Sequence, residues 1–252
     1  MKRVLTAAVA IPIVLLITIF SPDWVFAFAV GLVCALAVDE FLSLAEKKGI
    51  GRPDRWFLVP AAMVAISFIG GGGWVLTVLA LSAITLLTVT IFSGTLDAAL
   101  GRVGMGLGGL AYCSVTLGFL VLIPRELVLA LFAIIWVGDT AAYYGGRSFG
   151  RHLLAPSVSP HKTIEGAIAG LIGSVGAGLI GAYFLGEPPL RFAGITAATA
   201  IAGQFGDLAE SVLKRSAGVK DSSSILPGHG GILDRLDSLF FAAPLFYWFF
   251  NA

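Results

Sequence analysis

Apolar residues form long runs in this chain, and short segments between the runs carry most of the charge. Nine runs approach the roughly 17–25 residues that cross a bilayer as a helix, the shorter ones by extension into their polar flanks. Backbone polar groups in hydrocarbon must be satisfied within their own segment, and no run has the period of two of a barrel strand, so helices are predicted. The nine segments are 4–20, 24–38, 56–69, 74–92, 105–123, 127–144, 165–185, 191–205 and 239–250.

The composition agrees with a protein that lives in a bilayer. Of the 252 residues, 58% are hydrophobic and 12% are charged. A soluble domain has about twice that charged fraction, so soluble globular and disordered proteins are excluded. The net charge of +1 provides no basic field for nucleic acid. The predicted fold is a single all-α polytopic membrane domain over residues 1–252.

The basic residues predict an orientation for the nine segments. With the N-terminus in the cytoplasm, 14 of the 16 Lys and Arg residues lie on the cytoplasmic side, and only Arg125 and Arg191 lie outside. The positive-inside rule therefore predicts a cytoplasmic N-terminus and an external C-terminus. Twelve of the 15 carboxylates also lie inside, the exceptions being Asp23, Glu126 and Glu187. Because carboxylates have little influence on topology, this second asymmetry points to a function on the cytoplasmic face.

Three further features concern the ends and contacts of the helices. Residues 1–20 are expected to be a retained first helix, although a cleaved signal peptide ending near Ala29 is the alternative. Cys34 and Cys113 lie in apolar runs without CxxC spacing, and they are predicted to be buried thiols. Small residues recur every four positions from Gly166 to Ala182, so another helix packs closely on that face, either within the chain or across a homodimer seam.

The segment 204–238 differs from the rest because it concentrates charge beside apolar helices. Ionisable groups at membrane depth are costly unless they are paired or used. Carboxylates without a Cys or His cluster suit Mg²⁺ and phosphate better than zinc. Asp207, Asp221 and Asp234 are therefore candidate oxygen ligands for a cation that also binds a polyphosphate.

Cationic and glycine residues of the same segment suit the phosphates of such a ligand. Four side chains are candidates to neutralise phosphate charge: Lys214, Arg215, Lys220 and Arg235. The turn Pro227-Gly228-His229-Gly230-Gly231 would let backbone N–H groups approach phosphate closely.

The run from Ser211 to Asp237 is Ser211-x-Leu213-Lys214-Arg215-x₄-Lys220-Asp221-x-Ser223-x₂-Leu226-Pro227-x-His229-Gly230-Gly231-Ile232-x-Asp234-Arg235-Leu236-Asp237. It resembles the signature of the phosphatidate cytidylyltransferase family. Upstream, 138–151 and 159–166 are similar to further blocks of this family. The first half resembles the family only in hydropathy and number of spans. We therefore expect 1–123 to be a helical scaffold and 124–252 to carry the catalytic signature.

The resemblance implies an integral membrane enzyme that joins CTP to phosphatidic acid and releases pyrophosphate. It implies Mg²⁺, with a second cation left open, and an active site on the cytoplasmic face, at the inner membrane in a bacterium. Asp207 and Asp234 are the first candidate metal ligands, followed by Asp221, with Asp139 and Asp237 in support. Candidate phosphate contacts, in addition to those above, are Lys162, Arg147, Arg151, His161 and His229, although Arg147 and Arg151 equally suit simple positive-inside anchoring.

Two other functions compete with this interpretation. A CTP-dependent lipid-alcohol kinase has a similar architecture but releases CDP, and the complete signature disfavours it. A secondary transporter would place charges near the middle of its spans and show inverted repeats. Here nearly all the charge lies at predicted cytoplasmic ends.

Overall fold

The computed structural model describes residues 2–93, 96–226, 228 and 230–251, most of which are helical. The α-helices of this part of the chain are α1 (Lys2–Phe20), α2 (Asp23–Lys47), α3 (Leu58–Ile66), α4 (Gly72–Phe92), α5 (Ala99–Gly109), α6 (Thr116–Leu122), α7 (Arg125–Phe149), α8 (Ile164–Leu185), α9 (Pro189–Ser216) and α10 (Leu233–Asn251). Short 3₁₀ turns, Arg55–Phe57 and Ser67–Gly70, flank α3, and a π-helical turn, Leu110–Val115, joins α5 to α6.

The structure confirms the predicted class, an all-α membrane protein, in its mainly helical content and its long apolar helices. Each of the nine apolar segments lies in helical residues, apart from Ile123 at the end of the fifth. Among the described residues, five helices are long and apolar enough to cross a membrane, and two shorter apolar helices cover 8–20 and 55–70. The five are Asp23–Lys47, Gly72–Phe92, Ala99–Leu122, Arg125–Phe149 and Ile164–Leu185. Nine crossings and the orientation of the termini stay predictions.

Two helices extend well beyond their apolar parts. Helix α2 runs to Lys47, nine residues past the predicted end at Val38, and α9 runs to Ser216, past the predicted end at Phe205. The reason is that hydropathy marks only the lipid-facing part of a helix, whereas Glu, Lys, Leu and Ala continue a helix equally well in water. These extensions matter because they carry Glu40 and Asp207 on helices.

The chain divides into two compact units. The first consists of 1–122 and 213–236, and the second of 123–212 and 237–252. The first break follows Leu122, one residue before the border drawn between 1–123 and 124–252, and the division into a scaffold and a catalytic half stays a prediction. The segment 213–236, which holds most of the signature, is grouped with the N-terminal helices and not with the remainder of the C-terminal half.

The core of the first unit forms around α2. A Cβ on Gly31 would lie 2.7 Å from Cγ1 of Ile66, so α2 and α3 are close neighbours. Phe41 of α2 packs on Tyr112, with ring centroids 5.8 Å apart. Cys34 and Cys113 are both free and buried, as predicted, and the Cys34 thiol donates a weak hydrogen bond to the Cys113 carbonyl at 3.7 Å.

The second unit is built on close packing of α7 against α8. The buried residues of α8 are the predicted small-residue stripe: Gly166, Gly170, Ser174, Gly178 and Ala182. Ser174 Oγ donates to the Ile134 carbonyl of α7 at 2.9 Å, and a Cβ on Gly166 would lie 2.9 Å from the Ala142 carbonyl oxygen. The stripe therefore packs within the chain, as one of the two predicted alternatives stated.

A β-hairpin between α7 and α8 was not predicted. Strands β1 (Leu153–Ala155) and β2 (Ser159–Thr163) pair antiparallel, with Leu153 opposite Thr163 and Ala155 opposite Ser159. The Glu165 carboxylate holds the base of the hairpin, because it accepts hydrogen bonds from the backbone N–H groups of Arg151 and His152, at 3.0 and 3.2 Å. Thr163 Oγ1 caps α8 by accepting from the Gly166 N–H at 3.1 Å. The hairpin thereby holds Lys162 immediately before the start of α8.

Candidate active site

A polar pocket of about 550 Å³ lies in the second unit. Five predicted site residues line it, contributed by α7, β2 and α9: Asp139, Arg147, His161, Lys162 and Asp207. The sequence analysis had placed these residues in three separate motifs, and the fold brings them to one cavity. Tyr143, Thr163 and Gln204 add polar groups that were not predicted.

Lys162 and Asp207 form an ion pair in this pocket. The Lys162 Nζ contacts Asp207 Oδ2, and the two side chains are 30% and 31% exposed. At this exposure water screens the attraction, so the pair is a weak source of stability. The pair brings a cationic and an anionic group, 45 positions apart in the chain, to one point of the cavity wall.

Asp237 adds a third carboxylate to the surroundings of Asp207 and Asp139. It precedes the apolar segment 239–250 on α10. Burial, together with the negative charges of Asp207 and Asp139, raises the pKa of Asp237 from 3.8 to about 7. A hydrogen bond from the Ser238 N–H and the charge of Lys162 only partly oppose this rise. Three carboxylates crowded in this way repel one another unless a proton or a cation intervenes.

Close packing of α9 on α10 sets the position of Asp237. A Cβ on Gly206 would lie 2.4 Å from the Asp237 carbonyl oxygen, and a Cβ on Gly203 would lie 3.4 Å from Cβ of Ser238. At the opposite ends of the two helices, Arg191 donates to the Phe250 carbonyl at 3.0 Å. Helices α9 and α10 are therefore antiparallel neighbours within this unit, and Gly206 permits the contact beside Asp207.

A second cluster of predicted residues lies in the first unit, on the signature segment. Lys214 Nζ lies 2.5 Å from Asp234 Oδ1, and the side chains are only 12% and 4% exposed. The other oxygen of Asp234 accepts from the Ser222 N–H, the Ser222 hydroxyl and the Gly231 N–H, at 2.9, 2.8 and 2.7 Å. Burial alone would raise the pKa of Asp234, but the ion pair and these hydrogen bonds hold it at about 2. Asp234 is therefore an ionised anchor for Lys214 and the loop.

The glycines of the turn allow this anchoring. Gly230 has φ of +82°, which side chains rarely adopt, and its carbonyl accepts from the Leu226 N–H at 2.9 Å. A Cβ on Gly231 would lie 2.1 Å from Ser222 Oγ and 2.2 Å from Glu40 Oε2. The loop therefore needs glycine at both positions. Gly230 has a positive φ, and a side chain on Gly231 would collide with Ser222 and Glu40.

The other predicted site residues are more exposed. Arg215, Lys220, Asp221 and Arg235 are solvent-exposed on the signature segment, and Arg215 donates to the Val219 carbonyl at 3.0 Å. Arg151 is exposed at the base of the hairpin and is not one of the residues that line the polar pocket. His229 lies outside the described residues.

Glu40 is a further residue that sequence analysis missed. It is 2% exposed on α2, and its carboxylate accepts four hydrogen bonds from the signature segment. The available signal was a carboxylate inside a largely apolar helical stretch, which is costly unless it is used. It was overlooked because the predicted segment ended at Val38.

The described side chains do not form a metal site. Among the described residues, no group of three or more His, Cys, Asp or Glu side chains is arranged as a metal site. The metal-ligand predictions for Asp139, Asp207, Asp221, Asp234 and Asp237 therefore stay predictions.

Comparison with known proteins identifies the family. The cytidylyltransferase family profile matches residues 1–252. A protein from Staphylococcus haemolyticus named phosphatidate cytidylyltransferase is 37% identical over 259 residues, covering 96% of both chains. A protein of the same name from Synechocystis is 31% identical over 281 residues, covering 98% of this chain and 95% of the relative. One from Haemophilus influenzae is 45% identical over 130 residues, but this match covers only 49% of this chain and 45% of that relative. The chain belongs to the cytidylyltransferase family.

Proposed function

We propose that this protein transfers the CMP group of CTP to phosphatidic acid, forming CDP-diacylglycerol and pyrophosphate in phospholipid synthesis. The observation that carries the proposal is the match over 96% of both chains to a protein named phosphatidate cytidylyltransferase. The pairing of a polar cavity with apolar helices supports it, because the reaction joins a soluble nucleotide to a membrane lipid.

The chemistry requires positioning and charge neutralisation more than a protein nucleophile. An oxygen of the lipid phosphate forms a bond to the α-phosphorus of CTP. The bond from that phosphorus to the oxygen bridging to the β-phosphate breaks, and pyrophosphate leaves with the electron pair. Because the lipid phosphate is itself the nucleophile, the protein contributes by orienting two anions and neutralising their charge.

The polar pocket supplies suitable groups for one of these anions. Its volume of about 550 Å³ is in the range of small-molecule sites. Lys162 offers an ammonium that a substrate phosphate would compete for against Asp207. Arg147 offers a guanidinium fork and His161 a ring donor.

The signature segment supplies cations for the triphosphate. Lys214 is oriented by Asp234, and the exposed side chains of Arg215, Lys220 and Arg235 are accessible to a nucleotide. The backbone N–H groups near Gly230 and Gly231 were predicted to approach phosphate, but the Gly231 N–H is already donated to Asp234. We therefore assign phosphate binding here to the cationic side chains first.

We further propose that the carboxylates hold Mg²⁺. Asp139, Asp207 and Asp237 offer the oxygen atoms that a hard cation takes, and a divalent charge that drew them together would relieve their mutual repulsion. Asp221 and Asp234 are the candidates on the signature segment. Mg²⁺, when bound, supplies positive charge that neutralises phosphate oxygens.

The membrane placement is also proposed. Nine crossings with a cytoplasmic N-terminus would put the charged connections on the cytoplasmic face, where CTP is available. In a bacterium this is the inner membrane.

CTP labelled at one defined phosphate tests the function. The purified protein in detergent is incubated with Mg²⁺, phosphatidic acid and CTP labelled either at the α- or at the γ-phosphate. Cytidylyl transfer puts only the α-label into the lipid and produces pyrophosphate. A lipid-alcohol kinase, assayed with diacylglycerol in place of phosphatidic acid, puts only the γ-label into the lipid and releases CDP. That second pattern, or no lipid label with phosphatidic acid, would overturn the proposal.

A further inference from the structure

Glu40 on α2 holds the signature segment through both of its carboxylate oxygens. Oε1 accepts from the Ser223 hydroxyl at 2.6 Å and from the Ile232 N–H at 3.0 Å. Oε2 accepts from the Ser222 hydroxyl at 2.8 Å and from the Leu233 N–H at 2.8 Å. All of these residues belong to the first unit. Four donors thus converge on one side chain that is 182 to 193 positions away in the chain.

The two N–H groups explain why a carboxylate suits this position. Ile232 and Leu233 lie where α10 begins, and the first N–H groups of a helix have no partner within the helix. A negative charge is also favoured at this end by the helix dipole. Glu40 therefore caps α10 from a remote helix.

Glu40 is also linked directly to the anchor of Lys214. The Ser222 hydroxyl lies 2.8 Å from both Glu40 Oε2 and Asp234 Oδ2, so its single proton is shared between the two carboxylates. Removing Glu40 would release the hydroxyl and the start of α10 together. Asp234, in the first turn of α10, would lose the support that fixes its orientation towards Lys214.

We propose that Glu40 is a positioning residue for the signature segment and acts on catalysis through Asp234 and Lys214. This role rests on the proposed cytidylyl transfer. It assigns a functional carboxylate to the N-terminal helices, which were expected to be only a scaffold. Because the donors to Glu40 are two serine hydroxyls and two backbone N–H groups, and not the cationic side chains assigned to phosphate, its loss should lower kcat more than it raises the KM for CTP.

The main variant is Glu40→Gln, which keeps the size of the side chain but turns one acceptor oxygen into an amide nitrogen. Two of the four donors then face a group that cannot accept from them. We expect kcat to fall about ten- to a hundredfold, as is typical for residues that orient functional ligands. The matched control is Glu46→Gln, on the same helix with a side chain 64% exposed, and it should retain wild-type kcat.

Amide hydrogen exchange gives a readout that does not depend on substrate. In Glu40→Gln, exchange should quicken in peptides covering 220–236 and stay unchanged in α7 and α8. Faster exchange throughout the chain would indicate a merely structural role and overturn the proposal. Unchanged kcat and unchanged exchange in 220–236 would overturn it as well.

A milder variant protects the test against misfolding. Ser222→Ala removes only the shared hydroxyl and should lower kcat in the same direction. In a double-mutant cycle with Glu40→Gln the two effects should be less than additive, since both act through one network. Full additivity would contradict the proposal. A wild-type protein without transferase activity would instead defeat the proposed function, whereas the exchange measurement would still decide whether Glu40 organises the segment.

Discussion

Individual carboxylates in this protein differ according to their partners. Asp234 is held ionised by Lys214 and three hydrogen bonds, whereas Asp237 is half-buried beside two other negative charges, and desolvation together with those charges raises its pKa to about 7. Without a metal, a carboxylate of the first kind anchors its lysine, and a cation that binds it takes the place of that ammonium. One of the second kind gains from the arrival of a cation, and this difference makes metal binding testable residue by residue.

Mg²⁺ should therefore stabilise the wild-type protein and stabilise the carboxylate variants much less. A ligand that binds only the folded state, at a concentration a hundredfold above its Kd, raises the free energy of unfolding by about 2.7 kcal/mol. This corresponds to a rise in Tm on the order of 5 °C. Asp207→Asn, Asp234→Asn and Asp237→Asn should each lose most of this rise. Without Mg²⁺, Asp237→Asn should melt above the wild type, because it removes a repulsive charge.

Thermal melting in detergent across a Mg²⁺ titration measures all of these effects. The exposed Asp54 provides the control, and Asp54→Asn should respond to Mg²⁺ like the wild type. Equal Mg²⁺ responses in Asp207→Asn, Asp234→Asn and the wild type would exclude the first two residues as ligands.

Among the secondary-structure elements, the contact between α9 and α10 depends on small residues. Gly206 faces the backbone of α10, while Gly194 on the same helix has open space around it. Backbone atoms cannot move aside as a flexible side chain can. The two glycines thus have the same helical propensity but opposite surroundings.

Gly206→Ala should destabilise the protein by about 1–3 kcal/mol through overpacking against the Asp237 carbonyl. It should also lower activity, because it displaces the segment that carries Asp237. Gly194→Ala should be neutral or stabilising by up to about 1 kcal/mol, since alanine favours the helix. Melting temperatures and transferase rates of the two variants decide this. A Gly206→Ala protein as stable as Gly194→Ala would show that the helices separate without cost.

In the molecule as a whole, the proposed topology confines function to one face. Five charged residues lie on the predicted external side: Asp23, Arg125, Glu126, Glu187 and Arg191. None of them lines the polar pocket or belongs to the signature segment. Arg191 contributes instead to structure, through its hydrogen bond to Phe250.

Replacement of these five residues by neutral polar ones should leave the transfer rate within about threefold of the wild type, because the predicted topology places them across the membrane from the phosphates, where their charges are screened. The rate is measured on protein whose insertion and melting temperature have been checked, since the loss of the Arg191 contact lowers stability. A loss of several orders of magnitude in a correctly inserted protein would contradict the one-sided arrangement.

The sequence by itself determined the helices, the small-residue stripe of α8 and the family signature. Apolar runs in a bilayer must satisfy their own backbone groups, so local pattern is enough to predict a helix. Tertiary structure alone decided that Lys162 pairs with Asp207, that Lys214 pairs with Asp234, and that Glu40 holds the start of α10. It also decided the hairpin at 153–163, whose strands are too short and too polar to show a period. These contacts join residues that are remote in the chain or lie in short polar loops. Packing of the helices decides which donor meets which carboxylate, and local sequence does not contain that information.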